Sequence, residues 1–409
     1  MVKELILPVQ EMQVDIPAIK RLFKNASKPT SATRVCIIVP VRNEAEGIEE
    51  TLDALRQQVD NHGNVLSVNL YEVLVLVNNC TDNSFQIVSD YQRRYPAFRL
   101  FMEEICLPSD IAHIGTVRRI LMDEAYSRML LAGNEDGIIA STDGDTIVDC
   151  QWVYNIMTEI AEGNDAVGGR ILTEKNAGGA RLYHLRDVTY RCLLAQAESL
   201  IDPQKHDPFP CHFQYFGANM AVTCKMYDQA GRLPRVSFLE DMAFHKALSL
   251  QDARIRKSFK VKVYTSSRMN GRVSIGFSEQ LKKWMEEDKA SVPQMVESVE
   301  PAINMFLVRS RLRKCWNGYL QLQIIQEEEL NSIAVLLNVK SEWLHTQVIN
   351  STYFGKLWDT VNQNVNSGLQ QNSGIQPIQQ AIEELRIFIR NYPVIAFQTN
   401  PNDTFPHAG

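Results

Sequence analysis

A single rhythm constrains the fold of this chain more than any one motif. Between residue 34 and about residue 170, short apolar runs alternate with stretches whose apolar residues recur at helical spacing. Residues 35–39 are apolar throughout and close on Pro40, after which Ile48, Leu52 and Leu55 follow one helical face. Residues 73–77 repeat the apolar run and end in the polar turn Asn78 to Asn83. The stripe Phe85, Val88, Tyr91 and Tyr95 comes next, stopped by Pro96. A third run at 100–105, a stripe through Val117, Ile120, Leu121, Ala125, Met129 and Leu130, and a fourth run at 138–140 complete the series. Runs that are apolar on both faces belong to strands covered from above and below, and strands alternating with helices build a mostly parallel sheet. The expected class is α/β, with a sheet flanked by helices.

In open sheets of this kind, ligands gather beyond the carboxyl ends of the strands. Three of the runs end in polar clusters: Pro40-Val41-Arg42-Asn43-Glu44, Asn78-Asn79, and Asp143-Gly144-Asp145. The third says most about chemistry. Two carboxylates separated by one glycine at the end of a buried strand repel each other and lose solvation. A divalent cation held by oxygen ligands and shared with a phosphate relieves both effects. An Asp-Gly turn is the plainer reading. Convergence of three polar strand ends on one crevice favours a metal-diphosphate site.

Composition narrows the partners. The net charge of −6 gives no basic footprint for nucleic acid. No apolar run approaches the roughly 18–20 residues that span a bilayer, and residues 1–30 show no apolar segment with a cleavage site, so no signal peptide is expected. The eight cysteines are scattered without a Cys-x-x-Cys pair, which fits reduced thiols in the cytoplasm. His206, Cys211 and His212 share a Pro-containing loop, either as a metal cluster or, more simply, as loop polarity.

Beyond residue 170 the rhythm loosens. Residues 177–180 read as a break, 181–201 as a helix, 202–212 as a loop, 242–250 as a helix entered through Glu240-Asp241, and 261–264 as a strand. The chain then turns helical. Residues 361–376, rich in Asn, Gln, Ser and Gly, read as a flexible linker, and the last dozen residues as a disordered tail. The expected organisation is an N-terminal extension (1–33), a main domain (34–275) and a helical C-terminal region (276–409).

Residues 34–275 resemble the enzymes of glycosyltransferase family 2, which have the GT-A fold. The motifs appear in order. Residues 38–44 resemble the opening nucleotide-binding strand, and residues 77–84 the Asp-rich turn after the second strand. Asp143-Gly144-Asp145 is similar to the Asp-x-Asp signature. Gly217-Ala218-Asn219 is similar to the acceptor-side glycine segment, and Glu240-Asp241 to the pair that carries the base. The resemblance implies a Rossmann-like, mostly parallel central sheet with a helical C-terminal extension outside it. It implies that Pro40, Arg42 and Glu44 border the nucleoside, and that Asn78 or Asn79 stands where an aspartate usually reads the base. Arg42 occupies a position often held by an aromatic residue, so the base stays open. Gly115 and Arg118 would run along the sugar and phosphate, and Arg268 and Arg272 would fold over the diphosphate. Asp145, with Asp143, would hold Mn2+ or Mg2+. Gly217, Ala218 and Asn219 would face the acceptor, and Asp241 would be the general base with Glu240 orienting it.

The activity so implied is metal-dependent transfer of a sugar, with inversion, from a nucleotide-diphosphate donor to a hydroxyl on a small molecule, glycan or lipid. Peripheral membrane contact is compatible with a lipid acceptor. The alternatives are a retaining synthase acting on a small acid of glycerate type and a non-catalytic nucleotide-sugar-binding protein. Nucleotidyl transfer is disfavoured because residues 40–44 lack the glycines of a phosphate-cradling loop. Acceptor selection is expected in residues 174–216 and in the helical C-terminal region.

Overall fold

In a computed structural model of the chain, the described residues are 22–24, 26–173, 180–265, 277–290, 292–369 and 374–398. They cluster into two compact units. One takes described residues from Met1–Ala177, Gln214–Ser278 and Tyr353–Lys356, and the other from Gly178–Phe213, Glu279–Thr352 and Leu357–Gly409.

The first unit is built on an eight-stranded sheet. Its strands are β1 (Val35–Val41), β2 (Tyr71–Asn78), β3 (Leu100–Ile105), β4 (Ile138–Ser141), β5 (Thr146–Val148), β6 (Ala166–Thr173), β7 (Met220–Thr223) and β8 (Ile255–Thr265). They lie in the order β3-β2-β1-β4-β7-β6-β8-β5. The first four are mutually parallel. β7 enters antiparallel between β4 and β6, β8 runs parallel to β6, and β5 is an antiparallel edge. Helices α1 (Ile48–Arg56), α2 (Ser84–Arg94), α3 (Ile114–Leu131) and α4 (Trp152–Ala161) belong here; α5 (Ala180–Ile201) does not. The short α6 (Cys224–Gln229) and then α7 (Glu240–Ser249) complete the set. This is the mostly parallel, helix-flanked α/β architecture that the sequence implies.

Every residue of β1 is buried, and its alternation divides two cores. Cys36 and Ile38 pack with Leu121, Ala125, Met129, Phe244 and Leu248, on the face covered by α3 and α7. Val35, Ile37, Val39 and Val41 pack with Ile48, Leu52, Leu55, Val88, Tyr91 and Trp152, on the face covered by α1, α2 and α4. Each such large side chain contributes roughly 1.5–3 kcal/mol when fully buried. Two members of the expected stripes turn outward: Phe85 and Leu130 are exposed, and Met129 carries the buried line in place of Leu130. One charge is buried in the sheet. Glu72 of β2 is fully enclosed, but Arg128 bonds both its oxygens at 2.7 and 2.9 Å and Arg99 adds a contact at 3.1 Å, which satisfies its lone pairs.

The second unit is helical. It holds α5, most of α8 (Phe277–Lys289), α9 (Val299–Leu322), α10 (Glu327–Leu336), α11 (Ser341–Asn350), most of α12 (Phe354–Leu369) and α13 (Ile378–Gln398). A two-stranded antiparallel ribbon joins β9 (Met295–Glu297) to β10 (Ile375–Pro377). Its core unites Tyr190, Ala197 and Ile201 of α5 with Val299 and Ile303 of α9 and with Ile378, Ala381 and Leu385 of α13. Residues 180–213 therefore cluster with the C-terminal helices and not with the sheet. Asp202, nearly buried, is held by Arg309 at 2.9 Å and Arg313 at 3.0 Å.

The expected linker at 361–376 is different in kind. Residues 361–369 continue α12, and 375–377 form β10. Polar composition hid a helical stripe: Phe354, Leu357, Val361 and Val365 recur every three or four residues and are all buried. Residues 177–179 of the expected break, and the tail from residue 399, lie outside the described residues. Among the described residues, no helix is long and apolar enough to cross a membrane.

Candidate active site

The pairings Ile38↔Ser141 and Val41↔Val77 bring the ends of β1, β2 and β4 to one edge of the sheet, so the three polar clusters share it. The turns there are locked by asparagine. Asn43 and Asn79 both have positive φ, 55° and 48°, a conformation asparagine tolerates better than most residues. The Oδ1 of Asn43 accepts from the amide of Thr81 at 2.7 Å, tying the first turn to the second. The Asn79 side chain donates to the carbonyl of Leu107 at 2.8 Å and accepts from its amide at 2.9 Å. Asn79 thus pins the exit of β3. Asn78, the other candidate for the nucleoside, is buried, and its Oδ1 has no hydrogen-bond partner among the described residues. Arg42 reaches the carbonyl of Ala112 at 3.0 Å, and the amide of Glu44 donates to Ser84 Oγ at 2.7 Å.

The Asp143-Gly144-Asp145 turn lies flat against the exit of β1. A Cβ on Gly144 would stand 3.1–3.3 Å from Glu44 Cγ, Val41 Cγ2 and the carbonyl of Pro40, and Thr51 Oγ1 donates to the Gly144 carbonyl at 3.1 Å. The glycine is explained by this close approach.

Arg118, on the first turns of α3, is only 2% exposed. Its Nε donates to Ser141 Oγ at 3.2 Å, one terminal nitrogen to Asp143 Oδ1 at 2.6 Å, and the other to Glu240 Oε1. Ser141 Oγ in turn donates to the Gly217 carbonyl at 2.7 Å. Gly115, three residues earlier, has no room for a side chain: a Cβ would meet the Val236 carbonyl at 2.7 Å and Glu240 Cβ at 3.2 Å. Its role in this geometry is to let the start of α3 approach the start of α7. Neither Gly115 nor Arg118 stands open to a phosphate.

Glu240 and Asp241 open α7 behind Leu239, which has φ 56° and caps the helix with no side-chain bond. A leucine held there is strained. The Asp241 carboxylate accepts from the amide of Gly217 at 3.1 Å and from that of Met242 at 2.8 Å, so both oxygens are oriented. Gly217 belongs to the 3-10 turn Gly217–Asn219 leading into β7. A Cβ there would collide with the Arg118 guanidinium. Asn219, expected on the acceptor side, is instead a fully buried peg: its amide donates to the carbonyls of Arg170 at 3.1 Å and Val261 at 3.3 Å and accepts from Trp152 Nε1 at 2.8 Å.

Four carboxylates and one guanidinium thus converge. Burial pushes Glu240 above the ordinary carboxylate range, Asp241 and Asp143 push the same way, and Arg118 opposes them. Asp143 is raised too, by desolvation and by Asp145 and Asp241, again against Arg118. Burial disfavours charge on Arg118, but Asp143, Glu240 and Asp241 outweigh it and raise its pKa. Among the described residues, no group of three or more His, Cys, Asp or Glu side chains forms a complete metal cage. The donor set is nonetheless of the right kind. Hard carboxylate oxygens on Asp143 and Asp145 suit Mg2+ or Mn2+ that takes its remaining ligands from phosphate and water.

Three further residues lie at the site that the sequence did not single out for roles: Ser141, Leu239 and, near Asp241, Tyr215, whose buried hydroxyl has no hydrogen-bond partner among the described residues. Only Ser141 left a signal, as the one polar residue of β4. Arg268 and Arg272 lie outside the described residues.

Residues 36–107 match the family model described as glycosyl transferase family 2. A curated relative, glycosyltransferase AglE of Haloferax volcanii, is 28% identical over 148 residues, which cover 36% of this chain and 42% of that protein. The match therefore spans less than half of the relative's length. Among solved structures, S. aureus TarS 1-349 in complex with UDP-GlcNAc is 15% identical with a TM-score of 0.43, covering 88% of this chain and 92% of that one. Mannosyltransferase PcManGT from Pyrobaculum calidifontis, in complex with GDP-Man and Mn2+, is 14% identical with a TM-score of 0.42, covering 91% and 89%.

Proposed function

We propose that this chain, a glycosyltransferase family 2 protein by its residues 36–107, transfers a sugar with inversion from a nucleotide-diphosphate donor to a hydroxyl acceptor. The observation that carries this reading is the division of carboxylates at one sheet edge. Asp143 and Asp145 follow β4, whereas Glu240 and Asp241 open α7, and Arg118 stands between the two pairs.

Bond cleavage leaves negative charge on the diphosphate. A divalent ion held by Asp145 and Asp143 supplies the neutralisation when bound. Pro40, Arg42, Glu44 and Asn78 border the nucleoside from the ends of β1 and β2. Arg268 and Arg272 add cationic contacts to the diphosphate. On the acceptor side, Asp241 takes the proton of the attacking hydroxyl. Amide bonds to both oxygens hold its carboxylate in one orientation. Of the Gly217–Asn219 turn, the half-buried Ala218 is the residue that faces the acceptor, since Arg118 fills the space beside Gly217. Holding both substrates at the right distance supplies much of the acceleration. The scattered cysteines, with no Cys-x-x-Cys pair, are in keeping with a cytoplasmic location.

The test is release of nucleoside diphosphate from a panel of nucleotide sugars with Mn2+ or Mg2+. Asp241→Asn is expected to keep donor binding and to lose turnover by about 10²–10⁴-fold. Wild-type turnover by this variant removes Asp241 as the base. Donor binding without release by the unaltered protein would make the chain a sensor.

A further inference from the structure

We infer that Arg118 is a positioning residue that fixes the spacing between the leaving-group carboxylates and the base-bearing helix, and that it is not a ligand of the donor phosphate. The inference rests on the reading of the site above. A phosphate-binding arginine needs solvent-facing nitrogens before the donor arrives. Arg118 is buried, and each of its three nitrogens is committed to a different segment: Nε to Ser141 at the end of β4, one terminal nitrogen to Asp143 in the next turn, and the other to Glu240 at the start of α7.

The connection extends into the acceptor side. Ser141 donates to the Gly217 carbonyl, and the Gly217 amide donates to the Asp241 carboxylate. The absence of a side chain at Gly217 is what admits the guanidinium, since a Cβ there would overlap it. Donor-side Asp143 and acceptor-side Asp241 are therefore joined by two routes through one planar group: Arg118–Glu240 along α7, and Arg118–Ser141–Gly217. A planar guanidinium with a fixed fork transmits position where a flexible ammonium does not. A misplacement of about 1 Å at the reacting atoms costs roughly 10²-fold in rate. The expected signature of Arg118 is thus a loss in turnover, not in donor affinity.

The experiment compares Arg118→Gln, Arg118→Lys, Ser141→Ala and the pair Arg118→Gln with Glu240→Gln. Nucleoside diphosphate binding is measured by calorimetry with Mn2+, alongside the turnover and KM of transfer. Arg118→Gln is expected to lower turnover about 100-fold with diphosphate affinity held within about 3-fold, and Arg118→Lys to recover only part of the loss. Added to Arg118→Gln, Glu240→Gln is expected to cost little more, because partners acting as one unit are not additive. Ser141→Ala removes one route while leaving every charge in place. It reports on the inference even if Arg118→Gln does not fold, and is expected to lower turnover severalfold with affinity unchanged. Loss of diphosphate affinity with turnover preserved in Arg118→Lys would make Arg118 a phosphate ligand and overturn the inference. Unchanged turnover in Ser141→Ala and Arg118→Lys overturns it as well. If the unaltered protein binds no nucleoside diphosphate with Mn2+, the nucleotide-sugar reading itself fails, which is a separate result.

Discussion

At the scale of single residues, the site holds a charge that the fold opposes. Glu240 is buried, and its carboxyl is raised by that burial and by Asp241 and Asp143, with Arg118 as the counterweight. The consequence for stability has a definite sign. The folded protein binds the Glu240 proton more tightly than the unfolded chain does. This contribution to stability is therefore complete below the ordinary glutamate value, about pH 4.3, and is lost as pH rises through the raised folded value. Glu240→Gln is expected to flatten that fall, as measured by chemical unfolding at a series of pH values; an unchanged slope would assign the cost elsewhere, to Asp143 first. Single residues also mark where sequence is ambiguous. The paired aspartates were legible because two carboxylates at a strand end demand an explanation. Asn79 and Asn219 were not, since the same amide serves a ligand, a left-handed turn or a buried peg, and only its neighbours decide. Arg118 showed its helix but not its partners, of which Glu240 lies more than a hundred residues further along the chain.

At the scale of elements, the start of α7 decides where Glu240 and Asp241 point, and Leu239 sets that start. Its φ of 56° turns the chain abruptly into the helix. Residues held in this region cost roughly 1–3 kcal/mol, with β-branched side chains at the upper end and asparagine at the lower. Leu239→Val is expected to lower stability by about 1–2 kcal/mol and to reduce turnover, whereas Leu239→Asn is expected to retain turnover. Thermal unfolding and diphosphate release measured on both variants check this, and equal behaviour of the two would mean that the left-handed turn does not aim the helix. The contrast with α12 shows what element-level reading requires. Strands β1, β2 and β4 announced themselves because they are buried on both faces and admit few polar residues. In α12 the buried stripe is one residue in three or four, and the asparagines and glutamines between its members carried the composition toward a linker. Glu240 and Asp241 were expected at a helix entrance and stand there, but the strain that aims them is a backbone angle without a sequence signature.

At the scale of the whole molecule, each unit has a core of its own. The sheet unit has a hydrophobic layer on each face of β1, and the helical unit has the cluster joining α5, α9 and α13. Units with separate cores can unfold as separate cooperative steps. The described residues proposed to hold donor and metal all belong to the sheet unit, so nucleotide and ion are expected to stabilise one step selectively. At a ligand concentration about 100 times Kd, binding adds about 2.7 kcal/mol, which for a unit of this size raises its midpoint by roughly 5–10 °C. Calorimetric scans with nucleoside diphosphate and Mn2+ are expected to move one transition upward by that amount and leave the other in place. Chelation should return the shifted transition, and Asp145→Ala should abolish the shift. Asp202 provides the reciprocal control. It is nearly buried and held by Arg309 and Arg313, so Asp202→Ala leaves two arginines without their shared partner and is expected to lower the other transition by roughly 3 kcal/mol. A shift of both transitions by the ligand would show that the two cores unfold together, and an unshifted scan in the presence of Mn2+ and diphosphate would remove Asp145 from the proposed metal site.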